Sequence, residues 1–192
     1  MDRILFINAC VREDSRTKAL ADYLLSKLSG AVTERKLDRS SAEPLYGDTL
    51  NDRMKWTDQG DFDHPIFDNA KQFKEADIIV IAAPYWDLSI PAILKAYLES
   101  LCNIGLTFDY SDEGIPTPLC RAKKLYFITT AGGYIYSDEY GWGYVKKLCE
   151  IFFGISDFTY IKAEGLDIVG ADIDAILDSA KAEIDKLQEV NA

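Results

Sequence analysis

The chain has 192 residues, of which 48% are hydrophobic and 28% are charged, a composition typical of a globular domain with a sizeable core. Its formal net charge is −11, from 21 basic and 32 acidic residues, so nucleic acid and anionic membrane surfaces should repel it. No apolar stretch is long enough to cross a bilayer, and the amino terminus lacks the regions of a signal peptide. We therefore expect one domain over residues 1–192, located in the cytoplasm, with no nucleic-acid or membrane partner.

The four cysteines are widely spaced and, together with the single histidine, form no recognisable metal site. Free cysteine is most often a small buried residue, so reduced, buried thiols are expected. The single histidine is expected to be structural or exposed to solvent. These residues are Cys10, Cys102, Cys120, Cys149 and His64.

Short apolar runs alternate with amphipathic segments along the chain. Five runs predict β-strands at 3–8, 31–37, 77–82, 123–130 and 157–163. Apolar residues at helical spacing predict α-helices at 17–28, 65–75, from about residue 91 onward, 143–153 and 172–190. Residues 38–62 show little periodicity and are interpreted as a long excursion within the same domain, and residues 105–118 as a loop or small hairpin.

The six residues Ile78 to Ala83 are all apolar, which is typical of a strand buried on both faces of a parallel sheet. Such strands alternating with helices predict an α/β fold with a doubly wound sheet. Five units fit the flavodoxin-like strand order 2-1-3-4-5 with helices on both faces. Ligands of these sheets bind at the carboxyl ends of the strands. Three loops should meet there: residues 8–17, 84–91 and 130–136.

The first loop contains Ser15, Arg16 and Thr17 and leads into the first predicted helix. Free backbone N–H groups at a helix start attract a phosphate, to which the two hydroxyls and either Arg12 or Arg16 can add hydrogen bonds and charge. An ordinary helix capped by Ser15, with solvated arginines, explains the same residues. The loop has no Walker lysine and no G-x-G-x-x-G pattern, which disfavours nucleoside-triphosphate and Rossmann sites.

The second loop offers a surface for a flat ring. After Pro84, the side chains of Tyr85, Trp86 and Leu88 can form a stacking wall, and Asp87 can accept a hydrogen bond from a ring N–H. Surface packing around a turn is the alternative explanation.

The third loop is Thr130-Ala131-Gly132-Gly133. The two glycines let the backbone approach a ligand closely, although a glycine pair is also an ordinary turn signal. Because one fold brings all three loops to one crevice, their signals reinforce each other. A phosphate at one end and a flat ring with a polar edge at the other describe FMN.

Along nearly its whole length the chain resembles the FMN-dependent NADH-azoreductases and the related NAD(P)H:quinone oxidoreductases, which have a flavodoxin-like fold. The resemblance is specific only in combination, since each segment alone is weak. It is carried by Val80-Ile81-Ala82-Ala83-Pro84, Leu94-Lys95-Ala96-Tyr97, Gly105-Leu106-Thr107-Phe108-Asp109-Tyr110, Thr130-Ala131-Gly132-Gly133, and Gly154-Ile155-Ser156-Asp157 leading to Ala163-Glu164-Gly165.

The resemblance implies roles for these residues. Ser15-Arg16-Thr17 would bind the FMN phosphate, and Pro84 to Leu88 with Thr130 to Gly133 would hold the isoalloxazine ring. It also implies a homodimer with each active site at the subunit interface, where Phe108 would wall the partner's flavin. Tyr134 and Tyr136 are further candidates for the pocket wall.

The chain departs from the family pattern in two places. Where the family often has Met-Tyr-Asn-Phe, this chain has Tyr85-Trp86-Asp87-Leu88. An ionised Asp87 would disfavour an anionic reduced flavin, so a lower reduction potential is expected. The phosphate loop is about one residue shorter, and Cys10 stands where a serine is often found.

These observations lead to the hypothesis of an FMN-dependent oxidoreductase that passes two electrons from NADH or NADPH to a quinone, azo or nitroaromatic acceptor. Both substrates would use one slot in turn, by a ping-pong mechanism. No catalytic side chain and no metal ligand is assigned, because the flavin would carry the chemistry. Two alternatives stay open: a flavodoxin-type electron carrier that docks to a protein partner by charge, and a flavin-free regulatory protein on the same scaffold.

Overall fold

A computed structural model describes residues 1–189 of the chain. Over that range it contains seven strands and six α-helices. The strands are β1 (Asp2–Asn8), β2 (Gly30–Lys36), β3 (Ile78–Ala82), β4 (Phe108–Tyr110), β5 (Pro116–Pro118), β6 (Lys124–Thr130) and β7 (Asp157–Ala163). The helices are α1 (Arg16–Lys27), α2 (Gly47–Asp58), α3 (Asp68–Glu75), α4 (Ala92–Leu101), α5 (Tyr144–Phe153) and α6 (Ile173–Glu189).

Five of the strands form one parallel sheet in the order β2-β1-β3-β6-β7. The other two, β4 and β5, form a separate antiparallel hairpin where the sequence predicts a loop or small hairpin. Without the hairpin strands the order is the predicted 2-1-3-4-5, so the predicted doubly wound sheet is confirmed. The three predicted loops consequently leave the sheet from its carboxyl edge.

The sheet is buried on both faces because its side chains alternate between two cores. In β1, Leu5 and Ile7 face a core shared with α3, α4 and α5, whereas Ile4 and Phe6 face a core shared with α1 and α6. This arrangement explains why the central strands show uninterrupted apolar runs in the sequence.

The prediction for residues 38–62 needs a correction, because helix α2 forms within them. This helix buries none of its residues, and its apolar side chains Leu50 and Met54 are exposed. It therefore lacks the apolar stripe that reveals a core-facing helix in a sequence. The start of the helix is capped by a nearby side chain, because Thr49 Oγ1 accepts a hydrogen bond from the Tyr46 N–H at 2.9 Å.

Two predicted helices also begin differently. The segment 65–75 is split into a 3₁₀ turn, Pro65–Phe67, and α3. A wide π-type turn, Glu139–Gly143, precedes α5. The predicted last residue of the final helix, Val190, lies outside the described residues.

All four cysteines are free thiols, and Cys10, Cys120 and Cys149 are buried, as expected. Burial raises the pKa of Cys102 to about 11 and that of Cys120 to about 12, and it raises the pKa of Cys10 and Cys149 as well. The thiols are therefore protonated at neutral pH. His64 is exposed, and its ring stacks on Trp56 with centroids 5.1 Å apart.

Candidate functional site

A cavity of about 230 Å³ opens at the carboxyl edge of the sheet. It is formed by the loops that follow β1, β3, β6 and β7, so four loops contribute where the sequence predicts three. Nine of the twelve predicted cofactor-binding residues line it, and the other three, Asp87, Leu88 and Gly133, lie within two residues of a lining residue in the sequence. The lining residues are Val11, Arg12, Asp14, Ser15, Arg16, Thr17, Pro84, Tyr85, Trp86, Thr130, Ala131, Gly132, Leu166 and Asp167.

One end of the cavity is the start of helix α1. Ser15 caps the helix, its Oγ accepting a hydrogen bond from the Lys18 N–H at 3.2 Å. The buried Thr17 Oγ1 lies 2.6 Å from Thr130 Oγ1, which ties the first loop to the third. The backbone N–H groups of Arg16 and Thr17 are at the first helical positions, where no carbonyl of the helix accepts them. This end can therefore donate several hydrogen bonds to an anion.

The two arginines of the cavity differ in their partners. Arg16 Nη1 donates to Asp167 Oδ1 at 2.8 Å and to the Leu166 carbonyl at 3.2 Å. Arg12 forms no ion pair with any residue in the range 1–189. The sequence leaves open which arginine adds charge to a phosphate, and these contacts favour Arg12.

Cys10 lies in the first loop but is not among the residues that line the cavity. Its thiol is buried and lies 3.7 Å from the Ala82 carbonyl, and its N–H donates to Asn8 Oδ1 at 2.9 Å. Burial raises the pKa of this thiol despite hydrogen bonds from Ser15 and Thr17 that favour the thiolate. Cys10 is thus a packed core residue beneath the loop.

The second loop is a tight, left-handed turn. Trp86 and Ser89 exchange two backbone hydrogen bonds, with N···O distances of 3.0 and 2.8 Å. Between them Asp87 has φ of 49° and Leu88 has φ of 66°, and no other non-glycine residue described has a positive φ. Such turns normally carry Asn-Gly or Asp-Gly, because a branched side chain is strained there. Strain of this kind is concentrated at functional sites.

The third loop runs beside the loop that follows β7. The Asp167 N–H donates to the Gly132 carbonyl at 2.8 Å, and the Gly165 N–H donates to the Gly133 carbonyl at 2.8 Å. The Asp167 carboxylate occupies the space that a side chain on Gly132 would need. Gly132 is therefore required for the approach of Asp167, a reason that the sequence does not reveal.

Leu166 and Asp167 are the site residues that sequence reasoning misses. They follow β7, the neighbour of β6 in the sheet. The sequence does contain a signal for this loop, since every strand of a parallel sheet ends at the same edge and Gly165 lies two residues after the last predicted strand. That loop could have been included on topology alone.

A second and larger concavity adjoins the cavity. This apolar groove has a volume of about 940 Å³, and Trp86 belongs to the walls of both. The groove runs between the start of α4 and the start of α5. It is lined by Trp86, Asp87, Ser89, Ile90, Pro91, Ala92, Lys95, Glu139, Tyr140, Gly143, Tyr144 and Lys147.

The three predicted substrate-pocket residues lie in different surroundings. Tyr134 and Tyr136 follow the glycine pair and are 57% and 82% exposed. Phe108 lies in the β4–β5 hairpin away from the cavity, is only 4% exposed, and packs on Phe152 with ring centroids 4.6 Å apart. Its neighbour Tyr110 is the exposed aromatic residue of that hairpin.

Two further properties concern the described residues as a whole. Within residues 1–189, no helix is long and apolar enough to span a membrane. In the same range, no group of three or more His, Cys, Asp or Glu side chains is placed to hold a metal ion.

Comparison with known proteins agrees with this geometry. The family model described as flavodoxin-like fold matches residues 2–187. The chain is 37% identical over 190 residues to the FMN-dependent NADH:quinone oxidoreductase 2 of Clostridium acetobutylicum, covering 92% of this chain and 93% of that protein. It is 34% identical over 204 residues to the FMN-dependent NADH:quinone oxidoreductase of Clostridium beijerinckii, covering 98% of each.

Solved structures show the same fold. An azoreductase from Bacillus anthracis superposes with a TM-score of 0.83 at 25% identity, covering 98% of this chain and 99% of that one. An FMN-dependent NADH-azoreductase from the same species, solved in complex with FMN, superposes over both full chains with a TM-score of 0.82 at 21% identity. With the fold, the cavity and these relatives together, the chain belongs to the FMN-dependent NADH:quinone oxidoreductases, enzymes of flavodoxin-like fold.

Proposed function

We propose that residues 1–192 form a single FMN-binding domain with the cofactor in the cavity at the carboxyl edge of the sheet. The phosphate would lie at the start of α1, against Ser15, Arg16 and Thr17, with Arg12 as the unpaired cation. The ring would lie between Pro84 to Leu88 and Thr130 to Gly133. The observation that carries the proposal is the convergence of these loops on one cavity.

The cavity fits a ligand of this kind. Its donors at the helix start suit a phosphate, and the aromatic side chains of Tyr85 and Trp86 suit a flat ring. Its volume of about 230 Å³ is below the roughly 300 Å³ at which pockets begin to enclose whole ligands of this size. One face of a bound ring would therefore stay open toward solvent and the groove.

When bound, FMN supplies reversible two-electron chemistry. We propose that the protein orients NADH or NADPH, and then a quinone, azo or nitroaromatic acceptor, against the same open face. A single face used twice implies ping-pong kinetics. Trp86, Tyr134 and Tyr136 would form the walls of this slot, since Trp86 lines the cavity and the other two are exposed residues that closely follow Gly132 of the lining in the sequence. The names of the relatives and structural neighbours support quinone and azo acceptors.

We also propose a homodimer in which a second copy of the chain covers the groove. Its lining includes Ile90, Pro91, Tyr140 and Tyr144 together with Trp86, an apolar and aromatic surface of the kind found in subunit contacts. The active site would then lie at the subunit interface. Phe108 is too buried to wall the partner's flavin by itself, so the hairpin would act through its exposed neighbour Tyr110.

Four free thiols fit a reducing compartment, so the proposal keeps a cytoplasmic location.

The test is a spectrum of the protein after mixing with FMN and desalting, followed by anaerobic addition of NADH or NADPH. Retained flavin absorbance that bleaches with one nucleotide supports the oxidoreductase. Flavin that is retained but not bleached would favour the flavodoxin-type carrier instead. Flavin that is lost on desalting would contradict the site.

The phosphate end has its own matched pair of variants. Arg12→Gln should weaken FMN binding about tenfold, because hydrogen bonds to charged groups contribute roughly 1.5–3 kcal/mol. Arg39→Gln, at an exposed arginine outside the cavity, should change nothing. Riboflavin, which lacks the phosphate, should bind wild type and Arg12→Gln equally. Equal loss of riboflavin and FMN binding would place Arg12 elsewhere.

A further inference from the structure

The segment between β6 and α5 forms one side of the proposed slot and is fixed to three other elements. The Ile135 N–H donates to Glu164 Oε2 at 2.9 Å. Ser89 Oγ donates to the Tyr140 carbonyl at 2.5 Å. Tyr160 Oη, on β7, donates to Asp138 Oδ1 at 2.9 Å. The segment itself carries the exposed tyrosines at 134, 136 and 140.

Of these three contacts, the Tyr160–Asp138 hydrogen bond has the donor that is held most firmly by its own packing. The half-buried Tyr160 ring stacks on Trp142, with centroids 5.1 Å apart and an interplanar angle of 13°. Burial, and then the hydrogen bond and charge of Asp138, raise the pKa of the Tyr160 hydroxyl, so it stays protonated and donates at any physiological pH. Asp138 also begins the wide turn before α5, because its carbonyl accepts the Gly143 N–H at 2.6 Å.

This contact lies directly behind the proposed flavin loop. A small cavity of about 10 Å³ is lined by Tyr160, Asp138, Ser137 and Tyr85, among others. Tyr85 also lines the main cavity, so it belongs to the walls of both. Tyr85 Oη lies 3.5 Å from the Ser137 carbonyl. A space this small leaves Tyr85 little room to move while the segment holds its place.

We propose that Tyr160 and Asp138 are positioning residues, which hold residues 134–143 and Tyr85 in the geometry that the substrate slot requires. This inference rests on the proposed function, and it concerns substrate binding on the open face of the site. FMN would keep its contacts with the start of α1 and with the third loop when the pair is lost, so its affinity should change much less than the binding of substrates on the open face.

The experiment compares Tyr160→Phe, Asp138→Ala and Asp138→Asn with Tyr23→Phe. Tyr23 is a matched control, since its hydroxyl donates to Asp185 Oδ1 at the same 2.9 Å on the far side of the molecule. Asn at position 138 keeps an oxygen that can accept the hydrogen bond. FMN affinity is measured by fluorescence titration, and KM is measured with menadione as acceptor and with NADH.

The variants Tyr160→Phe and Asp138→Ala should raise both KM values about tenfold with FMN affinity unchanged within about twofold. Combining them should add no further effect, because both remove one interaction. Asp138→Asn and Tyr23→Phe should resemble wild type. Three results would each overturn the proposal. The first is a rise in KM in Tyr23→Phe as large as in Tyr160→Phe, and the second is an equal loss of FMN affinity alongside the rise in KM. The third is a KM for Asp138→Asn as high as that of Asp138→Ala.

A second readout uses the protein without FMN. Chymotrypsin cleaves after exposed aromatic residues, so nicking at 134, 136 and 140 reports on how firmly the segment is held. Cleavage should be about tenfold faster in Tyr160→Phe and Asp138→Ala than in wild type, Asp138→Asn and Tyr23→Phe. Equal cleavage rates would overturn the proposal. The cleavage measurement needs no flavin, so it tests the proposal even if the wild-type protein binds no FMN. A failure to bind FMN would count against the proposed function alone.

Discussion

The two ends of the parallel sheet are built on different principles. At the amino end, hydrogen bonds join the segments that lead into the strands. Asp77 accepts hydrogen bonds from the Arg3 N–H and from the Arg121 guanidinium, both at 3.0 Å. The left-handed residue there is a glycine, Gly154, with φ of 69°. At the carboxyl end, left-handed backbone occurs not only at a glycine, Gly165, but also at Asp87 and Leu88, and Trp86 beside them is exposed.

The difference indicates where the chain accepts a cost in stability. Left-handed backbone is cheap for glycine and costs other residues about 1–2 kcal/mol each. The amino end avoids that cost, while the carboxyl end retains it in the loop that faces the proposed cofactor. Substitutions at the amino end should therefore change the free energy of unfolding, and substitutions at the carboxyl end should change ligand binding.

The largest expected effect is that of Gly154→Ala at the amino end. The new Cβ would lie 2.7 Å from Pro118 Cβ, and φ of 69° is unfavourable for alanine. We expect a loss of about 2–3 kcal/mol in the free energy of unfolding, measured by urea titration. FMN affinity should be unchanged. Gly47→Ala, with no atom within 4 Å of the new Cβ, is the control and should cost little.

At the carboxyl end, Gly132→Ala should act on binding instead. Its Cβ would displace the Asp167 carboxylate and break the pair with Arg16. Because Asp167 is a flexible, exposed side chain, the free energy of unfolding should fall by less than about 1 kcal/mol. FMN affinity should fall about tenfold, or about 1.4 kcal/mol. Gly133→Ala, where a Cβ meets nothing within 4 Å, should bind FMN normally; a matching loss there would point to backbone flexibility as the cause.

A smaller effect is expected from Leu88→Gly, with the opposite sign for stability. Relief of the left-handed strain, about 1–2 kcal/mol, exceeds the entropic cost of glycine, about 0.5–1 kcal/mol. Thermal or urea unfolding should therefore show a gain of about 0.5 kcal/mol. Leu50→Gly in helix α2, another exposed leucine, should instead lose about 1 kcal/mol. Loss of stability in both variants would mean that Leu88 makes stabilising contacts that outweigh its strain.

The smallest effect is linked to pH. The hydrogen bonds from Arg3 and Arg121 lower the pKa of Asp77 to about 2. A lowered pKa in the folded state contributes stability above the unfolded value near 4, and that contribution is lost as the pH falls toward 2. Asp77→Asn should thus be less stable than wild type at pH 6, and the gap should close between pH 4 and pH 2. A gap that stays constant over this range would show that the charge of Asp77 is not involved.

The sequence is most informative where burial decides the structure. The all-apolar run from Ile78 to Ala83 identifies a central strand because only a sheet covered on both faces places no polar residue there. Strand order then follows from the alternation of strands and helices, and with it the three loops that meet at one edge. That reasoning placed nine of the cofactor-binding candidates around one cavity.

It is least informative where contacts join distant parts of the chain. The approach of Asp167 to Gly132 depends on β7 lying beside β6, and no local pattern records it. Helix α2 escapes prediction because it packs few apolar residues against the rest of the molecule. Phe108, which its motif suggests as a pocket wall, is 4% exposed in this chain, and a buried aromatic and a ligand-facing aromatic look alike in a sequence.

The protonated state of the thiols has a consequence for a member of a family whose relatives are named quinone oxidoreductases. Quinones are electrophiles that alkylate thiolates, and the thiolate is the reactive form of cysteine. Burial withdraws Cys10, Cys120 and Cys149 from contact, and a pKa of about 11 keeps even the partly exposed Cys102 in its unreactive form. Such a protein would carry four thiols through a reactive environment without offering a quinone a nucleophile.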